Sequence, residues 1–332
     1  MKDMNLQVAE WKYGKRWVYS ATYDEALAEL HQFVVPVHDR LGIPGHVEAV
    51  AGHIGKVRQL FSSSFNGMWH MGGEELRELI ERGWGVGNHS WSHGNVWENV
   101  ELELKQAKDT IETACDYPIN LYTAPNNNSN LAQPVLDALE GYGYLGGMSI
   151  TDDINYPDFG LWINRPPLHE KFSDLYDSAF DPYKRIAQAK KHGGWIVDYL
   201  HCPMETAVHD YKDVSAAHHA ERFETVASEG KYDCWFANPD RVVDYRYLRG
   251  AVNIIEQGPG RFELDLSSAK KEIICRELTF ITDSVCAAGQ FKVTVDGREI
   301  AVHQLHNRSV CFTAEVKHGT AICFENTRGH FA

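Results

Sequence analysis

His89 and His93 stand four residues apart in Asn88-His89-Ser90-Trp91-Ser92-His93, directly after the glycine-rich stretch Trp84-Gly85-Val86-Gly87. That spacing is close to one helical turn, so two neutral imidazoles face a common point, the first half of a transition-metal site. Such a site needs a third ligand and usually an open position for water. Thr22-Tyr23-Asp24-Glu25, far upstream, offers carboxylates for the purpose. The same acidic pair would also cap the helix that follows, and capping and catalysis are compatible. His201 ends Tyr199-Leu200-His201 after an apolar run. Taken alone, it is as readily a hydrogen-bonded structural residue as a proton donor. Cys202 beside it invites a nucleophile–base reading, but neighbours on a strand point to opposite faces, which argues against a joint role.

The elements that must position these side chains read as alternating strands and helices over residues 17–250. A short apolar strand over residues 16–21 runs into the acidic pair. Helices are expected over residues 25–41, with Pro36 as a stop or kink, and over 73–82, 96–115, 131–139 and 182–192. Strands are expected at 121–123, 145–150 and 195–200. Asp24, His89, Thr123 and His201 each follow an expected strand directly. Repeated strand–helix alternation predicts an α/β fold with a parallel sheet or barrel and its chemistry at the C-terminal strand ends. Beyond Gly250 the pattern changes to short alternating segments, with Asp296-Gly297 as a hairpin turn. Residues 251–332 are therefore expected to form a small antiparallel β-sandwich domain, and residues 1–250 the catalytic barrel.

Composition narrows the partners. Acidic residues outnumber basic ones by 46 to 32, a formal charge of −14, which repels phosphate backbones and anionic membranes. Neither nucleic acid nor a membrane is an expected partner, and oligomeric state is not legible. Seven scattered cysteines without a C-x-x-C pair indicate no zinc ribbon or redox motif. They read as reduced, buried thiols, and the first residues hold no secretory apolar run. The expectation is a cytoplasmic protein, or a secreted one if a leader was removed.

The order of these motifs resembles the polysaccharide deacetylase family of carbohydrate esterases (the NodB-homology group). Its Thr-Phe-Asp-Asp-Gly motif is similar to Thr22-Tyr23-Asp24-Glu25-Ala26, and its His-Ser/Thr-x-x-His motif is intact as His89-Ser90-Trp91-Ser92-His93. Residues 74–83 resemble the helix that leads into that motif, Tyr199-Leu200-His201 the Leu-x-His segment, and Trp235 to Asp240 the end of the barrel. Two departures stand out: Glu25 replaces an Asp, and Thr123 in Tyr122-Thr123-Ala124-Pro125-Asn126 replaces the Arg that orients the catalytic base. Asp152-Asp153 and Asp158-Phe159 are both candidates for the fourth motif.

The resemblance implies a distorted (β/α) barrel and a metal-dependent hydrolase acting on an N- or O-acetylated carbohydrate. It implies a divalent ion on Glu25, His89 and His93, with Zn2+ first and Co2+, Mn2+, Ni2+ or Fe2+ as alternatives. Asp24 would be the base, His201 the acid, and the backbone near Asn126 an oxyanion donor. Leu200, with Trp162 or Phe159, would wall the acetyl methyl. Two rivals share the fold: a hydrolase of a small cyclic amide or ureide, and a catalytically silent carbohydrate-binding relative.

Overall fold

Strand Trp17–Asp24 is buried along its whole length, the pattern of a central parallel strand covered on both faces. In the computed structural model, which describes residues 5–172, 179–283, 291–306 and 309–326, this strand organises a parallel sheet. The spatial order is Trp162–Ile163, Gly146–Met148, Leu121–Thr123, Gly85–Asn88, His46–Ala49, Trp17–Asp24, Trp195–Leu200. Cys234–Phe236 pairs with the first three residues of Trp17–Asp24, and His46–Ala49 with the last three. Past Ile163 the chain reaches back to the opposite edge: Tyr199 N–H donates to Pro166 O at 3.1 Å and Leu168 N–H to Tyr199 O at 3.2 Å. These bonds curl the sheet into the expected distorted barrel.

The helices are shorter and more broken than their periodicity predicts. The expected helix over 25–41 is split into Leu30–Phe33 and Val35–Leu41, with Pro36 in the first turn of the second piece, where its missing N–H costs nothing. Glu25 and Ala26 instead form a turn, with φ of 72° and 47°. The segment expected as a helix over 96–115 begins with a π-helical stretch, Glu101–Gln106, before the α-helix Ala107–Cys115. Helices Ala216–Gly230 and Pro239–Ala251 complete the α complement.

Contacts divide the chain into Trp17–Asp240, which holds the barrel, and Met1–Arg16 together with Arg241–Ala332. The second unit is antiparallel throughout. One sheet runs Asn5–Val8, Glu277–Asp283, Ser309–Glu315, His303–His306, and the other Asn253–Gly258, Arg261–Asp265, Thr320–Asn326, Phe291–Val295, Arg298–Ile300. Phe312 of the first sheet meets Phe324 of the second edge-on at 6.0 Å, so the two form a sandwich. The Asp296-Gly297 hairpin is present, both residues having positive φ. This unit also takes in the N-terminal strand, which pairs with Glu277–Asp283. A four-residue strand lying so far from its partner in sequence carries no local sign of that pairing. Cys286 lies outside the described residues; the six described cysteines are free thiols. No helix among the described residues is long and apolar enough to cross a membrane.

Polar groups are also buried between the sheet and the helices that cover it. Tyr23 Oη contacts His38 Nε2 at 2.7 Å and His219 Nε2 at 2.6 Å, while His38 Nδ1–H donates to Ile43 O. Burial pushes His38 down to about 3, so both states of the chain are neutral there only above the ordinary imidazole range. Below about 6.5 the unfolded chain binds a proton at this residue that the folded chain refuses, and stability falls as pH falls toward 3. Denaturant titrations at pH 6 and pH 4 should therefore show a His38→Gln variant losing less stability than the parent, by about 1.4 kcal/mol per pH unit. Equal slopes would show that His38 is not a buried neutral imidazole.

Candidate active site

His89 and His93 converge, but not by a helical turn. His89 follows strand Gly85–Asn88, and the chain then loops through Ser90 (φ 70°) to His93 (φ 59°). The rings meet edge-on with centroids 4.9 Å apart. The expectation of helical spacing is thus corrected: two left-handed residues bring the imidazoles together. Buried Glu103, from the π-helical stretch, holds the loop by accepting from Trp91 N–H (2.8 Å), Ser92 N–H (3.0 Å) and Ser92 Oγ–H (2.6 Å). The bulge in that helix places Glu103 beneath the loop; a periodicity pattern carries no sign of it.

Asp24 lies at the end of its strand, buried, and receives the Arg165 guanidinium: Nη1 at 2.7 Å from Oδ1 and Nη2 at 3.3 Å from Oδ2. Arg165 is itself fully buried, bonded to Thr22 Oγ1 and Ser149 O, and lies over the Tyr199 ring. Burial alone would raise the Asp24 carboxyl; the Arg165 charge, with His89 beside it, overrides that and holds it below the usual carboxylate range. Arg165 thus brings to Asp24 a guanidinium like the one expected at Thr123. Its signal was visible as Arg165-Pro166-Pro167, an Arg-x-Pro spacing two strands later than the expected place.

Thr123 has a different task. Its hydroxyl donates to Glu48 Oε2 at 2.8 Å, and its carbonyl accepts His89 Nδ1–H at 3.0 Å. Glu48 Oε1 in turn accepts from His46 Nδ1, 2.6 Å away, and Asp240 lies 3.4 Å from His46 Nε2. Burial would lower His46, yet Glu48 and Asp240 outweigh it and lift it to about 10, so the ring is cationic. Gly85 and Gly87 make room for this network, since a Cβ at either would collide with His46 or with Glu48.

Glu25 meets Arg58. Arg58 Nη2 donates to Oε1 at 2.7 Å and Nε donates to Oε2. Burial would raise Glu25, but the Arg58 bonds and nearby His93 hold it at about 2, ionised at every working pH.

Asp24, Glu25, His89, His93, Asn126 and His201 all line one cavity of about 450 Å³. Asn126 Nδ2–H donates to His93 O at 2.9 Å. His201 donates from Nδ1 to Lys212 O at 3.3 Å and stacks on Phe65 at 5.0 Å. Leu200 is a correction: it lies between Tyr199 and His201, which line the cavity, so its side chain points the other way into the core. Trp162, bonded to Asn164 Oδ1, and Phe159, packed on Trp195, are likewise not lining residues. Phe65, Ala124, Ile150 and Tyr199 supply apolar wall instead.

The donors suit a divalent cation in kind. Burial keeps His89 at about 3 and lowers His93, so both rings are neutral, and the His89 Nδ1–H bond leaves the Nε2 lone pair toward the cavity. His89 Nε2 lies 3.9 Å from Asp24 Oδ2, and His93 Nε2 lies 3.9 Å from Glu25 Oε1, too far for a hydrogen bond. Among the described residues no three such donors close on one point, and Arg58 holds the third candidate. Replacement of Arg165 by Met should raise the Asp24 carboxyl, since burial is then opposed only by the nearby His89 and His201. Carboxyl carbon-13 NMR titration would detect this, and an unmoved Asp24 would exclude Arg165 as the stabilising charge.

Residues 13–145 match the family model described as polysaccharide deacetylase, a span holding Asp24, Glu25, Arg58, His89 and His93 but not Arg165 or His201. No curated protein matches. Similar solved structures include a polysaccharide deacetylase from Bacillus cereus (14% identity, 67% of this chain and 91% of that one, TM-score 0.41). A variant peptidoglycan deacetylase from Bacillus subtilis is similar at 14% identity over 68% and 89%, TM-score 0.41. A family 4 acetyl xylan esterase from Clostridium thermocellum, in complex with a cobalt ion, is similar at 13% over 68% and 89%, TM-score 0.41. The family-model match spans the acidic strand end and the histidine pair, so this part of the chain is similar to the polysaccharide deacetylase family.

Proposed function

We propose that the chain is a metal-dependent hydrolase that removes acetyl groups from an N- or O-acetylated carbohydrate. The observation that carries this reading is the buried Arg165–Asp24 pair, set on the same cavity as His89, His93 and His201. A divalent ion held by His89, His93 and Glu25, most simply Zn2+, would supply Lewis acidity toward the acetyl carbonyl.

The protein groups divide the remaining work. Asp24, ionised and oriented by Arg165, takes the proton of the attacking water as the new C–O bond forms. Asn126 has a left-handed backbone and lines the cavity, and the backbone N–H near it would donate to the developing oxyanion. Burial holds His201 below the ordinary imidazole range, so it rests neutral at pH 7. It therefore receives its proton from Asp24 and passes it to the departing nitrogen or oxygen as the acyl bond breaks. The net change is water plus the acetylated sugar giving acetate plus the free amine or hydroxyl. Phe65 and Tyr199 close the walls around the acetyl group, and the antiparallel unit is read as an accessory domain.

The absent arginine at Thr123 is the main ground for a cyclic amide or ureide hydrolase. Arg165 supplies that guanidinium from another strand end, which favours the deacetylase. Acetate release across a panel of acetylated glycans, paired with elemental analysis, tests the reading. Asp24→Asn should keep its metal while turnover drops about 10²–10⁴-fold; full turnover in that variant would remove Asp24 as base. His93→Ala should lose both metal and turnover, and bound metal with no acetate released from any glycan would favour the silent binding protein.

A further inference from the structure

Arg58 is unexplained by the reaction above. It is 4% exposed, Glu25 is 2% exposed, and the guanidinium covers both oxygens of that carboxylate. Oε1, which accepts from Arg58 Nη2 at 2.7 Å, is also the oxygen that faces His93 Nε2 at 3.9 Å. The atom best placed to join His93 on a cation is thus already bonded to a positive charge.

The pairing is built in rather than incidental. Arg58 Nη1 donates to Asn66 Oδ1 at 2.9 Å, and the same oxygen accepts Leu60 N–H at 2.9 Å. Arg58 N–H donates to Met68 O at 2.7 Å, and Gly67 N–H to Arg58 O at 3.0 Å, closing the base of the loop. The guanidinium lies over Phe65, which stacks on His201. On the other side, His70 Nδ1–H donates to Glu25 O at 2.7 Å and fixes its left-handed backbone.

We propose that Arg58 competes with the cation for Glu25, so that metal enters this site only by displacing or sharing a buried ion pair. The inference rests on the reading of His89, His93 and Glu25 as the cation's ligands. Its physical basis is simple: a carboxylate neutralised by a guanidinium attracts a divalent ion less, and the guanidinium repels that ion directly. Removing the guanidinium leaves a buried, uncompensated carboxylate that a cation satisfies. Metal occupancy then follows the metal supply, and the site fills weakly beside one whose third carboxylate is free.

The test is zinc affinity of the chelator-stripped full chain, read by competition with a chromophoric chelator and independent of turnover. Arg58→Gln should bind zinc at least about tenfold more tightly than the parent, a gain of about 1.4 kcal/mol. Adding Glu25→Gln to Arg58→Gln should erase that gain. Asn66→Ala, which frees one edge of the guanidinium while keeping its charge, should tighten binding by a smaller factor and serves if Arg58→Gln fails to fold. Unchanged or weaker zinc binding in folded Arg58→Gln, or in Asn66→Ala where Arg58→Gln does not fold, overturns the inference. His93→Ala separates the two failures. If it abolishes binding while the Arg58 and Asn66 variants change nothing, only the competition is wrong; if it leaves binding intact, the proposed ligand set itself is wrong.

Discussion

Two carboxylates stand side by side at the end of one buried strand, and each is held ionised against its burial chiefly by an arginine. Asp24 and Glu25 are 4% and 2% exposed, and burial by itself would push both toward the neutral acid. Each is answered by a separate arginine from a separate part of the barrel. Arg165 comes from the segment after strand Trp162–Ile163, and Arg58 from the loop after strand His46–Ala49. The two pairs differ in consequence. The first leaves an ionised carboxylate beside an imidazole; the second covers both oxygens of its carboxylate.

This charge pairing explains why the barrel interior is polar where a purely structural barrel would be filled by branched aliphatic residues. His46, Glu48 and Asp240 form a second buried charge cluster under the site, while Arg222 pairs with Asp198 on the helix side of the sheet. Removing one member of such a cluster strands a buried charge, at about 3–5 kcal/mol. The first of these clusters reaches the site directly, because Glu48 holds Thr123 and the Thr123 carbonyl orients His89. A residue that looked like the loss of a functional arginine is thus part of the support for a histidine.

Much of the site was legible because it is local. The His89–His93 spacing, the Asp24-Glu25 pair and the Leu200-His201 strand end are each contained in a few residues that carry their own strand signal. The barrel followed from strand–helix alternation, and the sandwich strands from alternating burial and the Asp296-Gly297 turn. What failed were claims about direction. Leu200 was expected in the cavity because it adjoins His201, but strand alternation turns it into the core. The histidines were expected on a helical turn, but a loop with two positive-φ residues brings them together.

Sequence by itself determined which acids and histidines sit at the strand ends, because periodicity and motif spacing are properties of short segments. Only tertiary structure decided which charges those side chains meet. Arg165 lies 141 positions from Asp24 and Arg58 lies 33 from Glu25, and ion pairing in a closed barrel depends on distance in space. A guanidinium far along the chain leaves no trace beside the carboxylate it neutralises, so the partner of each acid emerges only when the sheet curls.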